Sequence, residues 1–122
     1  MNHKITKDEV ADVINIVLCI SAKDGIISET ELRTAREEFI NIFKRDLSND
    51  EIEKILESFF LSNLQIEEYL ERINSEAFKK PIMQVALLSA ASDGFDMKEN
   101  IAYQKALSIW DLSHDEVLLE SE

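Results

Sequence analysis

The chain has 122 residues, 45% of them hydrophobic, and carries 25 acidic residues against 13 lysines and arginines, a net charge of −12. That length suits one domain, and that apolar content suits a packed core rather than a disordered chain. The negative field repels a phosphate backbone, which argues against direct nucleic-acid binding and favours a cation or another protein with a basic surface as partner.

One proline and two glycines leave little material for hairpin turns, so an all-α fold is expected. The first helix carries Val10, Val13, Ile14, Val17 and Leu18 at the i, i+3, i+4 spacing of a buried face, and Gly25 is expected to end it. Leu32, Ala35, Phe39, Ile42 and Phe43 form a second stripe; Ile52, Ile55, Leu56, Phe59 and Phe60 form a third. Ile66, Tyr69, Leu70 and Ile73 mark a short fourth helix. The fifth carries Ile82, Val85, Ala86 and Ser89 and ends near Gly94; Pro81 lies in its first turn or kinks a longer helix. The sixth carries Ile101, Leu107, Ile109 and Trp110, and a short seventh runs from Ser113. Five starts are marked by capping boxes, in which a side chain at the N-cap and an acid three residues on satisfy each other's backbone amides: Thr6/Glu9, Ser28/Glu31, Ser48/Glu51, Asp96/Glu99 and Ser113/Glu116. Val17, Leu18, Phe39, Val85, Leu88 and Trp110 are expected in one shared core.

The two glycines each follow an aspartate, in Ala22-Lys23-Asp24-Gly25-Ile26-Ile27-Ser28 and in Ala91-Ser92-Asp93-Gly94-Phe95-Asp96-Met97. Each follows an apolar stretch and precedes a helix start, which implies a duplicated helix–Asp-Gly–helix unit within a single domain spanning 1–122. The internal repeats cover about 7–47 and 75–122, and residues 56–73 bridge them without a counterpart. A working EF-hand is not expected. Asp24, Gly25, Ser28 and Glu31 fall at its loop positions, but Ile20 and Ala22 stand where calcium ligands belong. An aspartate beside a helix C-terminus is electrostatically unfavourable, so Asp24 and Asp93 have a separate purpose: stabilising the turn, or helping to hold a cation. Asp24 with Glu31, and Asp93 with Glu99, flank the two turns. If the copies pack about a pseudo-twofold axis, they could share one hard cation, calcium or magnesium. The competing reading is that Glu31 and Glu99 serve only their capping boxes.

Ala22-Lys23-Asp24-Gly25-Ile26-Ile27-Ser28-Glu29-Thr30-Glu31, Leu87-Leu88-Ser89-Ala90-Ala91-Ser92-Asp93-Gly94 and Leu112-Ser113-His114-Asp115-Glu116-Val117 together resemble the TerB-like domains of tellurite-resistance proteins and some J-domain co-chaperones. The resemblance spans nearly the whole chain. It implies a helical fold of two related halves, an acidic surface associated with metal binding at Asp24, Glu31, Asp93 and Glu99, and a stress-response or membrane-associated assembly rather than catalysis. The second half departs from the pattern, with Asn100 where an acid would match Glu31 and Asp96-Met97-Lys98 in place of an Ile-Ser-type start.

Catalytic constellations are scarce. His3 lies near the N-terminus, His114 sits within a helix-start box, and neither is tied to a nucleophile. Cys19 is the one cysteine, expected as a buried inert thiol, so no internal disulfide and no thiolate metal cluster is possible. The most hydrophobic segment, 13–20, is interrupted by Asn15 and too short to cross a membrane, and a cytoplasmic location is expected. The expectation is therefore a non-enzymatic acidic binding or scaffold module of TerB-like type in a stress-response or membrane-associated assembly, with calcium or magnesium as a candidate cofactor. The alternative is an acidic inhibitor or immunity-type protein that masks a basic partner.

Overall fold

The computed structural model describes residues 5–22, 27–62, 64–92, 94 and 97–119. Within them lie seven helices and no strand: α1 (Lys7–Ser21), α2 (Glu29–Phe43), α3 (Asn49–Leu61), α4 (Ile66–Glu71), α5 (Glu76–Ala91), α6 (Met97–Ile109) and α7 (His114–Leu119). The fold is an all-α bundle, as the stripes and caps imply.

Capping chemistry places the starts. At Thr6, Ser28 and Ser48 the side chain accepts from the amide three residues on, and the glutamate there accepts in return from the cap's own amide. Ser113 and Glu116 do the same at α7. Gln65 and Glu68 reproduce half of this exchange at α4, where the Glu68 carboxylate accepts from the Gln65 amide at 2.9 Å. The Asp96/Glu99 box involves a residue outside those described.

The ends are less regular. α1 stops at Ser21 with Ala22 extended, three residues before Gly25, so Gly25 does not terminate it directly. α2 ends on Lys44 in the left-handed region, a conformation that glycine would adopt at lower cost. After α5, Gly94 has φ +86°, and nothing lies within 4 Å of where a side chain would begin. Glycine is needed there for its backbone conformation, not for space.

α1 and α5 form the centre. Each is buried on most of its circumference, as expected of a helix enclosed by others rather than laid on a surface. α2 packs most extensively on α5, α6 packs on α1, α3 and α4 flank α1, and α7 flanks α5. Pro81 lies inside α5, beyond its first turn. It removes the bond that an amide at 81 would give to the Ala77 carbonyl, yet the helix continues, because packing on both sides holds it.

The core contains Val17, Leu18, Phe39 and Val85, all fully enclosed. Two expected members do not belong to it. Leu88 is 42% exposed, and Trp110 is only partly buried, with the Lys79 ammonium 5.7 Å from its ring centroid. α6 departs further from expectation. Ile101 and Ile109 face outward, while Tyr103, Ala106 and Leu107 face the core. On a 3.6-residue helix Met97 and Ile101 stand opposite Tyr103, Ala106 and Leu107, so the apolar residues of α6 divide between two faces.

Candidate functional site

The C-terminal turns of α1 and α5 and the first turn of α2 meet through two buried serine hydroxyls and one backbone carbonyl. Ser21 of α1 donates through its hydroxyl to Ser89 Oγ of α5 at 3.0 Å, and Ser89 donates to the Glu31 carbonyl of α2 at 2.8 Å. Ser21 and Ser89 are fully buried and Glu31 is 2% exposed. Ser89 lies four residues before Asp93, and Ser21 lies three before Asp24. The chain is thus pinned together where the two Asp-Gly segments begin.

Glu31 has a divided environment. Its Oε1 accepts from the Ser28 amide at 3.3 Å and from the Ser28 hydroxyl at 3.2 Å, which completes the capping box. Its Oε2 is buried with no hydrogen-bond donor among the described residues. A buried carboxylate oxygen without a donor costs about 1–3 kcal/mol or more, so capping alone leaves half of this carboxylate unexplained. Glu99 is 1% exposed. It is the third residue of α6, as Glu31 is the third of α2, so Glu99 rather than Asn100 occupies the equivalent helical position. Asn100, the residue that matches Glu31 by counting from the aspartate, is exposed. The second turn is one residue shorter than the first, and helix phase decides which side chain turns inward.

Of the four candidate ligands, the structure therefore encloses Glu31 and Glu99, while Asp24 and Asp93 lie outside the described residues. Among the described residues no group of three or more His, Cys, Asp or Glu is arranged to hold a metal ion.

Cys19 is half-buried at the end of α1, and desolvation, with a smaller contribution from the nearby Glu67 carboxylate, pushes its thiol up to about 12. It is a poor nucleophile at neutral pH, as an inert thiol should be. His114 touches Tyr103, with the phenol oxygen 2.8 Å from Nδ1, and burial raises the phenol to about 12.

A second feature was not read from the sequence. α5, α6 and α7 enclose an open apolar groove of about 430 Å³, with Leu87 and Leu88 on one wall, Tyr103 and Gln104 on another, and Leu118 closing it. No periodicity in α6 marks it, since the α6 residues that line it are Asn100, Tyr103 and Gln104, two of them polar. Among the described residues no helix is long and apolar enough to cross a membrane. Comparison with protein-family models, with curated proteins and with solved structures finds no match.

Proposed function

We propose that the chain is a non-enzymatic acidic binding module of TerB-like type, in which the two Asp-Gly turns share one divalent cation and so fix an acidic surface that receives a basic protein. The observation that carries this reading is Glu31: enclosed, hydrogen-bonded through one oxygen only, and joined through its carbonyl to Ser89 at the approach to the other turn. A hard cation offsets a buried carboxylate oxygen that no donor reaches, and oxygen ligands suit calcium or magnesium. Glu99, enclosed at the same helical position after the second turn, supports a paired arrangement. Asp24 and Asp93 are the further ligands in this reading, and water completes the shell. The TerB-like resemblance of the three segments is consistent with it and points to a stress-response or membrane-associated assembly. The unreactive Cys19 thiol supports binding over catalysis.

Calorimetric titration with calcium and with magnesium tests the proposal, on the wild type and on the Asp24→Asn/Asp93→Asn double variant. Saturable heat at millimolar cation or below, lost in the double variant, is the expected result. Absence of heat in the wild type, or equal heat in both, removes the cation from the reading.

A further inference from the structure

We infer that α3 is a strap: held at its two ends, it swings off α1 as a unit and uncovers the face of α1 that carries Asn15 and Cys19. This motion goes beyond the binding reading and is independent of the cation.

The internal duplication supplies the comparison. At an offset of 69 residues, the separation of Asp24 from Asp93, α1 and α5 align from their N-caps, Thr6 and Ser75, onward. α3 and α7 start from matching boxes, Ser48-Asn49-Asp50-Glu51-Ile52 and Ser113-His114-Asp115-Glu116-Val117, and each buries the residue that follows its glutamate. In the second half two polar links tie α7 to α5. Gln84 donates through Nε2 to the Val117 carbonyl at 2.9 Å, and the Lys80 ammonium lies 3.9 Å from the Glu116 carboxylate. The residues in register with Gln84 and Lys80 are Asn15 and Ala11. Asparagine is one methylene shorter than glutamine. Asn15 is 9% exposed, and its Oδ1 is buried with no hydrogen-bond partner among the described residues. Alanine offers no charge, and Glu51, the counterpart of Glu116, pairs instead with Arg45 at 3.2 Å, on the connection that leads into α3. Neither link of the second half is present in the first, among the described residues.

The seam between α1 and α3 is loosely closed. Of the 13 residues of α3 only Ile52 is buried; Ile55, Leu56 and Phe59 are half-buried, and the helix packs chiefly on α1. Two hollows lie along the seam. One, of about 260 Å³, is lined by Lys7, Ala11, Lys54 and Ile55 near the helix starts. The other, of about 240 Å³, is lined by Leu18, Cys19, Ala22 and Phe59 near their ends. Residues 11, 15, 19 and 22 share one face of an α-helix. Asn15 lines neither hollow; it lies on the stretch of α1 between them. A buried amide with unmade hydrogen bonds favours any state in which water reaches it, so Asn15 biases the seam toward opening.

The ends of α3 are held. Arg36 of α2 donates through Nε to the Leu47 carbonyl at 2.6 Å, and Leu47 is fully buried. The Tyr69 hydroxyl of α4 donates at 3.2 Å to Oγ of Ser62, the C-cap of α3. The Ser48/Glu51 capping box closes within α3 itself, so the helix keeps its first turn when it leaves α1. Fixed ends and an untied middle make α3 swing about Leu47 and Ser62. The motion carries Ile55 and Phe59 off α1 and gives up the contact of the Phe59 ring with Tyr69.

Amide hydrogen exchange of the full chain, together with labelling of Cys19 by an aromatic disulfide reagent, tests the strap. Cys19 is the one thiol, so labelling reports a single place. Burial holds that thiol at about 12 against an ordinary 9.0, so at mildly alkaline pH the reagent meets thiolate chiefly in the open form. The α3 amides should exchange at least about tenfold faster than the buried amides of α1 and α5. Asn15→Gln supplies a donor of the Gln84 kind, and Asn15→Leu removes the stranded amide. Each should slow both α3 exchange and Cys19 labelling by about fivefold or more, with the helical circular dichroism unchanged. Ile52→Ala should speed both. Val85→Ala, in the core of α5, should speed exchange in α1 and α5 while leaving α3 exchange and Cys19 labelling as they were. Exchange of α3 in step with α1 and α5, labelling of Cys19 that accelerates with Val85→Ala as global unfolding does, or indifference to both Asn15 substitutions would overturn the strap.

Discussion

The same substitution made on the two central helices, Leu18→Ala and Leu88→Ala, should have different costs. Leucine to alanine removes three carbons, each worth about 0.8 kcal/mol when buried. Leu18 is fully enclosed by the bundle, so it loses about 2.4 kcal/mol of transfer energy plus a cavity contribution. Because Leu18 borders the small hollow on α1, part of the void opens to solvent, and the total should be about 2.5–4 kcal/mol. Leu88 is 42% exposed and faces an open groove. Its truncation leaves no closed cavity, and the loss should be about 1–1.5 kcal/mol. The unfolded chain and the helix propensity change alike in both variants, so the difference belongs to the folded state. Urea unfolding followed by far-ultraviolet circular dichroism, fitted with a shared slope, measures it. Costs that agree within about 0.5 kcal/mol would refute the assignment of Leu18 to the core and of Leu88 to the groove wall.

Ser89→Ala should destabilise by about 2–4 kcal/mol, because it strands both the Ser21 hydroxyl and the Glu31 carbonyl in the core; in the same urea assay, adding Ser21→Ala should cost much less than a second such loss. Alkaline pH should also weaken the fold. Cys19 and Tyr103 are raised from 9.0 and 10.0 to about 12 each, so above pH 9 the unfolded chain sheds protons that the folded chain retains. Stability is then full below about pH 9 and falls as pH rises toward 12, by up to about 1.4 kcal/mol per pH unit for each group, and Cys19→Ala should flatten the first part of that fall. An unchanged slope in that variant would show that the Cys19 thiol is not desolvated.

Much of this protein is legible locally. A capping box needs only two side chains three residues apart, and both its bonds close within one helical turn, so Thr6, Ser28, Ser48 and Ser113 declare their helices without help from the rest of the chain. The 3.6-residue periodicity of α1 likewise announces a helix whose Val13, Ile14 and Val17 are enclosed. The duplication of Asp-Gly is plain in the sequence, as is the net charge of −12.

Tertiary structure decided what periodicity leaves open, namely which of two apolar faces a helix turns inward. In α6, Tyr103, Ala106 and Leu107 win the core and leave Met97 and Ile101 in water, because α1, α4 and α5 lie on one side only. Leu88 is no less apolar than Leu18, yet Leu18 is enclosed by the bundle while Leu88 is 42% exposed on the wall of the groove. The inward position of Glu99 in place of Asn100 depends on a turn one residue shorter, which rotates the next helix by about 100° per residue. The bond from Ser21 to Ser89 joins residues 68 apart in the chain, a contact that no local pattern encodes. Burial is a property of neighbours, and only the folded chain assigns them.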